Sequence, residues 1–258
     1  MILDFYKYQG TGNDFVIVDN RAKTFPKNNL ALISKLCDRH FGIGADGVML
    51  LEEHETSDFR MIYYNADGTQ TMCGNGARCM VAFAKYLGII DSKTNFTAYD
   101  GEHYAEVSEE GIVSLHMIDV DKVKIHDDYV FADTGTQHHV EIVEDLTNFP
   151  VFEKGKKIRY DVYGAPGSNV NFVQQLDAKT FRVRTYEKGV EDETLACGTG
   201  VTAVALAMHA THKTTEKNIT LPVEGGILSV SFEEHNGTYS NIYLSGPATF
   251  VFKGQISI

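Results

Sequence analysis

Cys73-Gly74-Asn75-Gly76 runs into GARCMVAFAKYL (Gly76–Leu87), and Cys197-Gly198-Thr199-Gly200 runs into GVTAVALAMH (Gly200–His209). Both stretches carry helical periodicity. Both are also apolar nearly all the way round, through Met80 to Ala84 in the first and Val204 to Met208 in the second. A surface helix shows one apolar stripe, so helices apolar on every face are predicted to be buried, each wrapped by strands. What precedes them also matches. Phe59-Arg60-x-x-x-Tyr64 leads through Asp67-Gly68 to the first Cys-Gly-x-Gly. Phe181-Arg182-x-x-x-Tyr186 leads through Lys188-Gly189 to the second. Strand, loop, Cys-Gly-x-Gly and buried helix recur in the same order, which reads as an internal duplication.

Working outward, short runs rich in β-branched and aromatic residues and bounded by Gly, Asp or Asn read as strands. They are Phe15–Asp19, Phe59–Tyr64, Gly111–Met117, Phe181–Tyr186 and Ile227–Phe232. Asn29–Phe41 carries a further helical pattern. The expected fold is α/β (α+β): two similar domains related by a pseudo-two-fold axis, each a mostly antiparallel sheet around a central apolar helix. The active site is expected in the cleft between them. The domain boundary is placed in the polar stretch that begins at Asp119. This gives an N-terminal domain of residues 1–118 plus 248–258 and a C-terminal domain of residues 119–247, with the last strand returning to the first domain.

The length of 258 residues suits two domains of about 125 residues each. A formal net charge of -12 and the absence of any Lys/Arg run argue against a nucleic-acid partner. The N-terminus has neither a basic region nor an apolar run of signal-peptide type, and no apolar stretch reaches the roughly 20 residues of a membrane helix. A cytoplasmic protein acting on a small molecule is therefore expected, with oligomeric state open and a homodimer among the alternatives. The four cysteines, Cys37, Cys73, Cys79 and Cys197, contain no C-x-x-C pair, and Cys73 and Cys79 lie six residues apart. The adjacent His138 and His139 would point to opposite faces of a strand. No structural metal is expected.

A Cys-Gly-x-Gly unit opening a helix does three things. It sets the thiol at the positive end of the helix dipole, where a thiolate pKa can fall from about 8.5 towards 3.5–7.5. It leaves backbone N–H groups without intrahelical partners, which makes an anion cradle. And its glycines admit close approach of a ligand to the backbone. Two such units converging on one carbon would hold a carboxylate and place one sulfur on each face of the neighbouring stereocentre. Inverting a centre next to a carboxylate requires a base on one face and an acid on the other, and a thiolate and a thiol serve in both directions. With no electron-sink cofactor, the converging helix termini must stabilise the enediolate. Cys73 and Cys197 are thus the candidate acid and base. Cys79, inside the first helix, and Cys37, without a glycine-rich context, read as small buried hydrophobes.

The chain resembles the diaminopimelate epimerase family over nearly its whole length. The resemblance is carried by Gly10–Phe15, Asp38–Gly47, Tyr64–Gly68 with Met72–Arg78, and Tyr186–Gly189 with Ala196–Gly200. It implies two similar α/β domains, no cofactor, and conversion of LL- to meso-diaminopimelate for lysine and cell-wall synthesis. It also implies that Gly74, Asn75, Gly198 and Thr199 hold the reacting carboxylate. Asn13, Asn65, Asn169, Glu187 and Lys188 would then read the distal amino-acid group, and His138 would support the thiols. Amides donate to a carboxylate and Glu187 accepts from an ammonium, so the set is chemically coherent. Without the resemblance, Asn13 and Asn65 also read as turn caps.

Three positions depart from the family pattern. Lys188 replaces an Arg whose fork would grip a carboxylate. Gly135-Thr-Gln-His138 stands for Gly-Asn-Pro-His, and Gly47 stands where some members carry Gln. The thiol chemistry is untouched, and the substrate's far end is where these changes bear. They leave room for a racemase of another amino acid, such as histidine. Thiol–disulfide redox sensing is the reading from a different class.

Overall fold

The computed structural model describes residues 1–258, which divide into two compact units: Met1–Leu115 with Gly246–Ile258, and His116–Ser245.

The first unit begins with strands β1 (Ile2–Gly10) and β2 (Asn13–Asp19), helix α1 (Leu30–Cys37), and strands β3 (Gly47–Glu52) and β4 (Phe59–Asn65). Helix α2 (Gly74–Tyr86) follows, then β5 (Lys93–Ala98), β6 (Gly101–Val107) and β7 (Ile112–His116). The second unit contains β8 (Lys124–Ile125), β9 (Val130–Asp133), β10 (Gln137–Ile142), helix α3 (Val151–Asp161), β11 (Asn169–Gln175), β12 (Phe181–Glu187) and β13 (Asp192–Thr194). It continues with helix α4 (Gly198–Ala210), β14 (Asn218–Val223), β15 (Gly226–His235) and β16 (Thr238–Pro247). The last strand, β17 (Thr249–Ser257), pairs antiparallel with β1.

The strand order in the first unit is β7-β6-β5-β4-β3-β2-β1-β17. The second holds β13-β12-β11-β10-β9-β8 and β14-β15-β16. The duplication extends further than the repeated cysteine motif. In the first unit β2 crosses through α1 to a parallel β3, which pairs antiparallel with β4. In the second, β10 crosses through α3 to a parallel β11, which pairs antiparallel with β12. After the buried helix, β5-β6-β7 and β14-β15-β16 are both antiparallel meanders. Even the short parallel contact Phe59↔Phe96 has a counterpart in the bridge Thr180↔Thr220. The sheets are mostly antiparallel; the parallel strand pairs are β2–β3 and β4–β5 in the first unit and β10–β11 in the second.

Burial follows the periodicity. In α4 every residue from Gly200 to Met208 is buried, inside a cluster that includes Phe181, Ile219, Val230 and Leu244. In α2 the residues Asn75 to Val81, Phe83 and Ala84 are buried. Each fully buried Val, Leu or Met side chain contributes about 1.5–3 kcal/mol, so these helices anchor their units. α1 covers the opposite face of the first sheet with Leu32, Ile33 and Leu36.

Two elements differ from the sequence reading. The helix expected over Asn29–Phe41 spans only Leu30–Cys37. Asn29 caps its start, with Oδ1 accepting from Leu32 N at 3.1 Å. Asp38 turns extended at its end, and its carboxylate accepts from the backbone of His40 and Phe41. Helix α3 had no counterpart in the sequence reading. Its buried stripe is Val151, Gly155 and Arg159, only one of which is a hydrophobic side chain, so the apolar period is hidden.

Candidate active site

Cys73 is the N-cap of α2, and its Sγ accepts from Gly76 N at 3.5 Å. The Sγ also donates to Asn13 Oδ1 at 3.5 Å, an oxygen that accepts in addition from Asn75 Nδ2 at 3.3 Å. The Nδ2 of Asn13 is held by Asp46. Asp46 belongs to a charged cluster: Arg39 bridges Asp14 and Asp46, and Lys7 pairs with Asp14. Burial would raise the Asp14 carboxyl, but hydrogen bonds from Arg39 and Lys7 outweigh it and bring its pKa down to about 2. Asn13 is therefore clamped on both sides beside the Cys73 thiol. Behind it, Arg78 donates through Nη2 to Asn75 Oδ1 at 3.0 Å and to Thr11 Oγ1 at 3.2 Å.

Cys197 is the N-cap of α4 in the second unit, with Sγ 3.5 Å from Thr199 Oγ1. Thr199 Oγ1 lies 3.3 Å from Thr136 Oγ1, which lies 2.9 Å from His138 Nε2. His138 is fully buried, and burial, aided by the charge of Lys188, lowers its pKa to about 3, so the ring is neutral at physiological pH. Asn171 Nδ2 donates to His139 O at 2.9 Å and lies 3.2 Å from His138 Nδ1. An amide nitrogen brings only donors, and one lies against each ring nitrogen: Asn171 Nδ2 at Nδ1, and Asn169 Nδ2 3.4 Å from Nε2, where the Thr136 hydroxyl can donate or accept. Gly200 is required here: a Cβ would stand 2.5 Å from Asn171 Oδ1 and 3.3 Å from Cys197 Sγ.

The two units thus repeat one plan with different chemistry. Counting from each cysteine, Asn75 matches Thr199 and Arg78 matches Thr202. Asn13 opens β2 beside Cys73, and Thr136 precedes β10 beside Thr199. The first unit's cysteine is reached by amides, and the second's by hydroxyls.

The other sequence-derived positions fall as follows. Asn65 closes its own turn: its backbone N donates to Thr69 O at 2.9 Å, and Nδ2 donates to Thr69 Oγ1 at 3.0 Å and Thr71 Oγ1 at 3.2 Å. Asn169 Oδ1 accepts from Lys188 N at 2.8 Å, and its Nδ2 donates to Thr136 Oγ1 at 3.3 Å. Lys188 Nζ reaches Pro166 O at 3.3 Å. Glu187 accepts from Thr194 Oγ1 at 3.0 Å. Burial raises its carboxyl above the usual range, against the lowering effect of that hydrogen bond. Gly74 and Gly198 lie in the first turns of α2 and α4. Cys37 and Cys79 are buried thiols pushed up by desolvation, to about 11 and about 12.

Sequence reasoning did not single out Asn171, Thr136 as a relay, or the Lys7–Asp14–Arg39–Asp46 cluster. Asn169-Val-Asn171 on a strand places both amides on one face, a period-two signal that was there to use. No set of three His, Cys, Asp or Glu side chains is placed to share a metal ion. No helix is long and apolar enough to cross a membrane.

A family model described as Diaminopimelate epimerase matches residues 5–123 and 130–251. The chain belongs to the diaminopimelate epimerase family. It is 59% identical over 256 residues to the diaminopimelate epimerase of Flavobacterium psychrophilum, covering 98% of this chain and 100% of the relative. It is 41% identical to that of Chlorobaculum tepidum, covering 96% and 99%. The family assignment makes the chain an enzyme of the epimerase class. Among solved structures, a Bacillus anthracis PhzF-family phenazine biosynthesis protein matches with a TM-score of 0.76 at 14% identity, covering 100% of both chains. A hydroxyproline epimerase from Agrobacterium vitis matches with a TM-score of 0.70 at 14% identity, covering 100% of this chain and 93% of that one. At such identities the likeness establishes the shared fold.

Proposed function

We propose that this chain interconverts LL- and meso-2,6-diaminopimelate without a cofactor, in lysine and cell-wall precursor synthesis, by proton transfer between two cysteines. The observation that carries the reading is that Cys73 and Cys197 each cap a buried helix opened by Cys-Gly-x-Gly, in units with the same strand-and-helix plan. In the mechanism one thiolate removes the α-proton while the other thiol delivers a proton to the opposite face. The reacting carboxylate rests on the first-turn amides at Gly74, Asn75, Gly198 and Thr199, where the developing enediolate gains from the helix dipoles. The distal ammonium and carboxylate fall to Glu187, Asn169, Asn65 and the Lys188 neighbourhood. Asn13 sits against Cys73 and acts at the thiol.

The test is chiral chromatography of LL-diaminopimelate after incubation with the reduced enzyme and with its Cys73→Ala and Cys197→Ala variants. The reading expects meso product from the parent and none above background from either variant. A single variant with near-normal turnover would remove the two-base mechanism. A parent that leaves diaminopimelate unchanged but racemises another amino acid would move the substrate assignment.

A further inference from the structure

Arg78 is the largest of the side chains with no exposed surface, and it has no carboxylate partner. Its Nη2 is satisfied by Asn75 and Thr11, whereas Nε and Nη1 are buried without a hydrogen-bond partner. A guanidinium buried this way is costly unless some negative charge compensates it. The ionisable groups that face it are the thiols of Cys79 and Cys73. Cys79 is fully buried and stays protonated. The Tyr8 phenol on β1 is pushed up by burial and is neutral as well. Beyond Asn13, Asp14 and Asp46 are already engaged by Lys7 and Arg39. Cys73 remains.

We infer that Arg78 is the positioning residue that holds Cys73, and not Cys197, as the resting thiolate. This rests on the two-thiol reading. Asn13 Oδ1 receives a hydrogen from Asn75 Nδ2 as well as from the Cys73 thiol, so it keeps a donor when the thiol proton leaves to water. Gly76 N–H and the positive end of α2 point at the sulfur that remains. The bond from the thiol to Asn13 favours the protonated form, but a neutral hydrogen bond is weaker than the pull of a nearby buried charge.

The second unit lacks this device. Thr202 occupies the position matching Arg78, and its Oγ1 donates to Gly198 O at 2.9 Å. The contacts leading from Cys197 run through Thr199 and Thr136 to the neutral imidazole of His138. Of the charged groups in this unit, Glu187 is held by Thr194, and the half-exposed Lys188 acts on the His138 ring. Hydroxyls both donate and accept, so they accommodate Cys197 in either protonation state.

The test is the pH profile of alkylation by iodoacetamide, in which the thiolate displaces iodide. Cys73 and Cys197 are quantified separately by peptide mass spectrometry, and midpoints are compared because access alters rates. In the parent protein the Cys73 midpoint should lie at least about one pH unit below that of Cys197, the scale of a nearby opposite charge. Arg78→Met should raise the Cys73 midpoint by about one unit or more, a tenfold loss of thiolate below it, with the Cys197 midpoint not raised, and Arg78→Lys should restore it. A parent Cys197 midpoint at or below that of Cys73 overturns the inference, whether or not the variants fold. So does a folded Arg78→Met protein whose Cys73 midpoint stays in place. Failure of the two-thiol reading itself would show in isotope exchange, which this profile does not measure.

Discussion

The Thr136 hydroxyl lies 2.9 Å from Nε2 of His138, and it touches Thr199 Oγ1 at 3.3 Å on its other side. A buried neutral imidazole is thereby joined to the Cys197 thiol through two hydroxyls.

Thr136→Val keeps the shape and removes that link. Steady-state kinetics should show kcat reduced by about tenfold, equivalent to roughly 1.4 kcal/mol of barrier, with KM little changed. An unchanged kcat would mean that Cys197 does not draw on the relay.

His138 also couples folding to pH. Its folded pKa is lowered to about 3 from an ordinary 6.5. As pH falls through 6.5 the unfolded chain takes up a proton that the folded chain refuses, so stability is full above that range and declines towards about 3. Urea unfolding at several pH values between about 6.5 and 4 should show this decline, and His138→Gln should make it shallower. The slope will not vanish, because burial lowers His209 in the same direction. An equal slope in the variant would place the proton uptake elsewhere.

Gly47 pairs with Asn65 between β3 and β4 at a site with no room for a side chain. A Cβ there would stand 2.5 Å from Tyr64 O and would also meet the Tyr63 ring. Backbone must shift to admit it, so Gly47→Ala should lower the unfolding free energy by about 1–3 kcal/mol. Denaturant midpoints measure this. A neutral substitution would show that β3 moves more easily than its packing implies.

The buried helices were legible because α2 and α4 are apolar on all sides, and their shared Cys-Gly-x-Gly openings exposed the duplication. α3 escaped because Gly155 and Arg159, not hydrophobes, fill its buried stripe. The early end of α1 escaped because Asp38 looks like an ordinary helix-surface residue until its carboxylate caps the turn that follows. At the site, composition and spacing pointed to the two thiols. The partners that distinguish them come from β2, from the turn before β10 and from β11, segments joined to the cysteines only by tertiary pairing. Arg78 lay inside a quoted motif, yet its isolation from any carboxylate is a property of the folded unit.

Lys188 tests the distal end of the substrate. Its Nζ rests 3.3 Å from Pro166 O, and its backbone N–H occupies Asn169 Oδ1. Lys188→Arg supplies a two-pronged donor at the same place. If this region reads the distal carboxylate of diaminopimelate, KM should change more than kcat. No change in either constant would place Lys188 outside the binding surface.

The most direct test of the account is to incubate the reduced enzyme with LL-diaminopimelate in deuterated buffer and to analyse the products by chiral chromatography and mass spectrometry. Two-thiol proton exchange predicts meso-diaminopimelate carrying one deuterium at the inverted α-carbon. Meso product without deuterium, or no product from enzyme whose thiols titrate as reduced, would contradict it.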